Sequence, residues 1–148
     1  MSERDAVRVA QAYIEGLNSH SLDTMAELLA DDLRVEVATG AQCPMGKEDF
    51  LAYNENYMNA FPDVHFDTTL LVVDGDHVVA HWFASGTQTK SLGTPQGGII
   101  MPTGKSASAS GCFTFELSKG KIQRVWAIWD MATLLAQLGL LPTILENP

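Results

Sequence analysis

The sequence predicts an α+β fold, with helices packed on one face of a curved antiparallel sheet. Three observations carry this. The first 60 or so residues place apolar side chains at helical spacing, and the remainder alternates apolar and polar positions between turn dipeptides. A run of helices followed by a run of strands argues α+β rather than alternating βαβ units. At 148 residues, with no repeat, low-complexity tract or linker, the chain reads as one domain over 1–148 with room for a core.

Each element has its own signal. A first helix is expected from Ser2 to Leu17, where Val7, Ala10, Ile14 and Leu17 form one stripe, and Ser2 with Asp5 makes a capping box. Asn18 to Ser21 breaks it. A second helix carries Leu22, Met25, Ala26 and Leu29 behind a Ser21 cap. Leu33, Val35 and Val37 alternate with Arg34 and Glu36 as a half-buried strand. A third helix, Lys47 to Ala60, puts Phe50, Tyr53, Tyr57 and Phe61 on its apolar face, with Asn54 beside them, and Pro62-Asp63 stops it. Four strands follow: Val64 to Val73, then Val78 to Thr89 after the hairpin signal Asp74-Gly75, then Ser106 to Leu117, and after Lys119-Gly120 the last, Ile122 to Trp129. Met131, Leu134, Leu135 and Leu138 form a short closing helix, ended by Gly139 and Pro142.

Charge and composition narrow the function. The net charge is −9 and the pI about 4.6. An acidic surface repels phosphate, so neither nucleic acid nor an anionic membrane is expected as a partner. No apolar stretch reads as a membrane span, and the charged start Ser2-Glu3-Arg4-Asp5 does not read as a signal peptide. Cys43 and Cys112 match no CxxC pattern and read as reduced thiols, which points to the cytoplasm. Gly97 to Ser106, GGIIMPTGKS, looks like a phosphate-binding loop. The motif's first glycine would fall on Ile99, however, and a strand pattern, not a helix, follows Lys105. It reads as a loop entering a strand. His20, His65, His77 and His81 pair at no metal-ligand spacing, so no metal site is expected. No Ser–His–Asp or Cys–His pattern surrounds Ser85 or Cys112.

Ala60-Phe61-Pro62-Asp63 leads into a strand, Val78-Val79-Ala80-His81-Trp82 runs to Gly86-Thr87, and Pro102-Thr103-Gly104-Lys105 and Gly120-Lys121-Ile122 come next. Trp126-Ala127-Ile128-Trp129-Asp130 and Leu134-Leu135-Ala136-Gln137-Leu138-Gly139 close the set. In this order and spacing they resemble the SnoaL-like polyketide cyclases, within the NTF2-like superfamily of α+β cones. The resemblance covers nearly the whole chain. It implies a deep pocket for a small hydrophobic substrate, and a homodimer or homotetramer built through the outer sheet face. It also implies ring closure by intramolecular aldol condensation with neither cofactor nor metal.

Asp130 is the leading candidate for that chemistry. Strand alternation puts it on one face with Trp126 and Ile128. If that face lines a cavity, apolar walls raise its pKa and suit it to general acid/base work. The plainer reading is an N-cap for the helix beginning at Met131, and the residues alone leave the two even. The resemblance places the family's acid/base Asp at this position. His81, with Val79 and Phe83 on its face, is a candidate donor to a substrate carbonyl, although a lone histidine is more often structural. Tyr13 and Asn54 are candidate donors from the helices, or else a boundary aromatic and a surface amide. Tyr57, Phe83, Trp126 and Met101 are expected against the substrate as pocket wall, and Trp82 and Trp129 read as core or pocket wall. Ala107, Ala109 and Gly111 leave room for a cavity or for a second subunit. Some relatives carry a histidine in the strand before the last. This chain has Cys112, Thr114 and Glu116 there instead. Arg124 could pair with Asp130 as in epoxide-opening relatives, but reads more simply as a surface arginine. Isomerisation, dehydration, epoxide hydrolysis and binding without catalysis stand as alternatives on the same scaffold.

Overall fold

The computed structural model describes residues 2–39 and 43–141. Pro142 and the middle of the expected loop Thr39–Gly46 lie outside them. The elements are α1 (Glu3–Asn18), α2 (Leu22–Leu28), β1 (Leu29–Val37), α3 (Lys47–Ala60), β2 (His65–Asp74), β3 (His77–Thr87), β4 (Leu92–Gly93), β5 (Ile99–Ile100), β6 (Ser106–Ser118), β7 (Lys121–Trp129) and α4 (Met131–Gln137). The main sheet runs β1-β7-β6-β3-β2. The expected α+β order holds, with two differences. β1 joins the sheet parallel to β7, so the sheet is mixed rather than wholly antiparallel. β4 and β5 pair as a two-residue ribbon inside the segment that reads as a plain loop.

Local chemistry explains the boundaries. Ser2 Oγ accepts the Asp5 backbone N–H at 3.1 Å and opens α1. Ala6, Ala10, Tyr13, Ile14 and Leu17 are the buried stripe of that helix, and Val7 is only half-buried. Leu29 belongs to β1, not to α2: strand pairing with Ile122 outweighs the helical spacing that links it to Met25. The β6–β7 turn places both Lys119 and Gly120 at positive φ, the geometry a two-residue hairpin loop requires. At the other hairpin the Gly75 N–H reaches Glu3 Oε2 at 2.8 Å, tying the start of α1 to the sheet. Lys105 leads into β6 with no helix after it, so the glycine-rich segment is a strand entry and not a phosphate loop.

The helices cover one sheet face. Tyr13 is fully buried there, stacked on Phe50 with ring centroids 5.9 Å apart and edge-on to Phe115 at 5.6 Å. Burial of such side chains contributes about 1.5–3 kcal/mol each. Val78, Ala80, Trp82 and Ala84 of β3, Phe113 and Phe115 of β6, and Val125 and Ala127 of β7 face inward. Val79, His81, Phe83, Trp126 and Ile128 therefore face outward.

Candidate active site

Between α3 and the inner sheet face lies a cavity of about 730 Å³ of empty space, its open mouth included. α3 contributes Phe50, Tyr53, Asn54 and Tyr57, because positions three and four apart share a helix face. The sheet contributes Trp82, Ala84, Ala107, Ala109, Phe113, Ala127 and Trp129, and Leu134 of α4 closes one side. The space exists because four of the inward sheet positions are alanine. Gly111 does not enlarge it. A Cβ there would sit 2.2 Å from Trp82 Cζ2, so the indole fills the room that this glycine leaves.

The polar groups of the cavity are neutral. No acidic, basic or histidine side chain is among the described residues that line it. Trp129 Nε1 donates to the Tyr53 hydroxyl at 2.9 Å, and Tyr53 shares a hydrogen bond of 3.3 Å with Thr39 Oγ1. Tyr57 packs edge-on to Trp129 and tilted against Tyr53, with ring centroids 5.3 Å apart in both pairs. Burial pushes the Tyr53 and Tyr57 hydroxyls up from the ordinary phenol range. Asn54 Nδ2 donates both protons, to the Tyr13 hydroxyl and to the Phe50 carbonyl, each at 2.8 Å. The carbonyl partner fixes the amide orientation, since it needs a donor. Trp82 is 5 % exposed, and its indole N–H has no hydrogen-bond partner among the described residues.

The expected site residues divide. Asn54 and Tyr57 line the cavity. Tyr13 lies behind Asn54, its hydroxyl accepting the amide proton and burial pushing its pKa well up. Four expected contacts are corrected. His81 is exposed on the outer face, and Phe83 beside it is 42 % exposed. Trp126 is also on the outer face, under the Arg124 guanidinium at 4.5 Å from its ring centroid. Arg124 is thus engaged on the surface. Met101 is 70 % exposed in the segment after β5. The physical reason is one of parity. Alternation seats Trp82 and Ala84 of β3 and Ala127 and Trp129 of β7 on the cavity face, which leaves His81, Phe83 and Trp126 outside.

Asp130 differs from expectation in environment. It is exposed and caps α4, with Oδ1 accepting the Thr133 N–H at 3.0 Å and Oδ2 accepting the Thr133 hydroxyl. The Thr133 hydroxyl first, and its backbone N–H second, hold the carboxyl below its usual range and outweigh the smaller upward push of desolvation. Its neighbour Trp129 and, one turn on, Leu134 are cavity wall, which puts the carboxylate beside the chamber rather than in it.

Two of the other histidines, His65 and His77, are engaged on the surface. His65 Nε2 is 3.1 Å from Asp67 Oδ1, and His77 lies between Asp76 and Glu116. Among the described residues no three His, Cys, Asp or Glu side chains group to hold a metal, and no helix is long and apolar enough to cross a membrane. Trp82 and Trp129, core or pocket wall by sequence, are pocket wall, and Tyr53 is the contributor that the sequence gives no site role. The signals were the Tyr53–Tyr57 spacing of one helical turn and the shared parity of Trp129 with Ala127.

A model of the SnoaL-like polyketide cyclase family matches residues 7–138. No curated protein shows significant sequence similarity to the chain. Solved structures share the fold. AclR, a candidate hydroxylase from Streptomyces galilaeus, superposes with a TM-score of 0.83 at 19% identity, over 97% of this chain and 90% of its own. A candidate SnoaL-like polyketide cyclase from Jannaschia sp. CCS1 gives 0.81 at 19% identity, over 95% of each chain. IdmH, a candidate polyketide cyclase from Streptomyces antibioticus, gives 0.77 at 26% identity, over 90% of this chain and 98% of its own. With its NTF2-like arrangement of helices over a curved sheet and a family match spanning most of its length, this chain belongs to the SnoaL-like polyketide cyclase family.

Proposed function

We propose that this protein is a small-molecule enzyme of the polyketide cyclase type, closing a ring within a small hydrophobic polycarbonyl substrate by intramolecular aldol cyclisation. The supporting observation is the aromatic chamber between α3 and the inner sheet face, with neutral polar groups and a carboxylate beside its wall. Confinement folds the substrate and brings its reacting carbons together. Asp130, ionised at neutral pH, removes a proton from a carbon between two carbonyls. That carbon attacks a second carbonyl of the same molecule, one C–C bond forms, and the alkoxide takes the proton back. No atom is gained or lost, and the scheme calls for neither cofactor nor metal. The Thr133 bonds engage one lone pair on each carboxylate oxygen and leave another free for this task.

In this reading the protein acts in the cytoplasm as a homodimer or homotetramer. The outer sheet face carries Leu70, Val72, Phe83 and Ile128 exposed, a surface suited to a second copy. Isomerisation of a ring ketone would use the same groups, and a candidate ketosteroid isomerase from Kribbella flavida shares the fold at a TM-score of 0.65.

One observation favours a second reading, ligand binding without turnover: no proton acceptor of suitable strength is among the described residues of the cavity lining. Asp130→Asn separates the two. Asparagine caps a helix about as well as aspartate, so the fold survives the change. The cyclase reading expects turnover of polycyclic β-dicarbonyl substrates to fall about 10²–10⁴-fold. A folded Asp130→Asn protein with undiminished turnover overturns Asp130 as the base. Tight binding with no turnover in the wild type establishes the second reading.

A further inference from the structure

We propose that the Trp82 indole N–H is the hydrogen-bond donor that selects the ligand of this cavity, an uncharged ring compound whose carbonyl oxygen it holds. The inference rests on the cavity being the ligand site, as the proposed function has it. Trp82 is a cavity-wall residue, and its Nε1 is buried without a partner among the described residues. An indole N–H is a donor only, and a buried donor left unmet keeps its full desolvation penalty. The neighbours cannot relieve it. Phe66 and Phe113 lie 5.0 and 5.4 Å away, centroid to centroid, and offer no acceptor. A water would need further polar partners of its own in that aromatic corner. The indole cannot easily turn away either, because its six-membered ring is seated over Gly111.

The hydroxyls of Tyr53, Tyr57 and Ser85 in the lining accept as well as donate, so none is left needing an acceptor as an indole N–H is, and the N–H donors are spent or elsewhere. Both protons of Asn54 Nδ2 are committed to Tyr13 and Phe50. The Trp129 N–H is committed to Tyr53. His81 is on the outer face. The acceptor that Trp82 lacks must therefore come with the ligand. With no cationic side chain among the described lining residues and a net charge of −9, a neutral carbonyl suits the site better than a carboxylate or phosphate.

The test uses two probes of nearly equal size, 9-fluorenone and fluorene, which differ by a carbonyl against a methylene. Affinities are measured for the wild type and for Trp82→Phe. The ratio of ketone to hydrocarbon affinity is expected to fall about tenfold in the variant. An independent readout needs no substitution. In the wild type the Trp82 indole proton resonance should move downfield with fluorenone and stay in place with fluorene, with Trp126→Phe and Trp129→Phe used for assignment. If Trp82→Phe fails to fold, this resonance alone decides. Binding of both probes with an unchanged affinity ratio, or with an indole proton indifferent to the ketone, overturns the Trp82 assignment and leaves the cavity as the ligand site. Binding of neither probe overturns both readings together.

Discussion

Asn54 is the residue on which the polar side of the cavity depends, and its contribution can be worked out in advance. Asn54→Leu keeps the approximate volume and removes the amide. The Phe50 carbonyl keeps its place in the α3 ladder. The Tyr13 hydroxyl does not fare as well: it is fully buried among Phe50, Phe113 and Phe115, and it loses the donor that now sits 2.8 Å away. Leaving such a group unmet costs about 1–3 kcal/mol. Tyr13→Phe is milder, about 0.5–1.5 kcal/mol, since the Asn54 amide still donates to Phe50. The double variant removes both polar partners, so its loss should fall short of the sum by about 1 kcal/mol. Urea unfolding of the four proteins, followed by tryptophan fluorescence, reads this coupling. In a thermal melt each kcal/mol corresponds to about 2–4 °C at this chain length. Strict additivity of the two changes would refute the buried Tyr13–Asn54 pair.

Two further outcomes follow from the same packing. All three tyrosines of the chain have raised pKa values, each chiefly through burial. The folded state holds these protons more tightly than the unfolded chain, so the contribution is intact below the unfolded pKa of about 10 and is lost as pH rises beyond it. A titration followed by tyrosinate absorbance should show the folded protein ionising at higher pH than the urea-unfolded chain; a folded protein titrating together with the unfolded chain would contradict the burial. Gly111→Ala drives a methyl into the Trp82 indole and the Trp129 Cβ, at 2.2 and 2.6 Å. It should destabilise the protein by about 1–3 kcal/mol and shift the Trp82 indole resonance; an unchanged melting temperature would refute the interlock.

Much of the fold was legible because its signals were local. Periodicity located all four helices and the five long strands, and Asp74-Gly75 and Lys119-Gly120 marked both hairpins. What was not legible was non-local. Leu29 reads as helix by spacing, and only its pairing with Ile122 makes it strand. The β4–β5 ribbon is anchored by distant groups: Asn56 donates to the Gly93 carbonyl and accepts its N–H, and the buried Gln88 amide bonds the Met101 carbonyl and the Thr103 side chain. The site was half legible for a related reason. Large apolar side chains were assigned to the cavity, as with Trp126 and Phe83. A chamber needs space, however, and the face it occupies is the one on which Ala84, Ala107, Ala109 and Ala127 leave room between Trp82, Phe113 and Trp129. The α3 contributors, Asn54 and Tyr57, were readable because α3 has one face on the sheet and little competition for it.

The most direct test of the account is whether filling the chamber abolishes binding. Isothermal titration of 9-fluorenone would be compared for the wild type, Ala109→Leu and Ile128→Ala. Ala109 is cavity wall, and Ile128 is 63 % exposed on the opposite face of the sheet. The account predicts that Ala109→Leu weakens binding at least about tenfold, by occupying the ligand's space, while Ile128→Ala binds as the wild type does. Undiminished binding by a folded Ala109→Leu protein, with loss in Ile128→Ala, would place the ligand on the outer sheet face and contradict it.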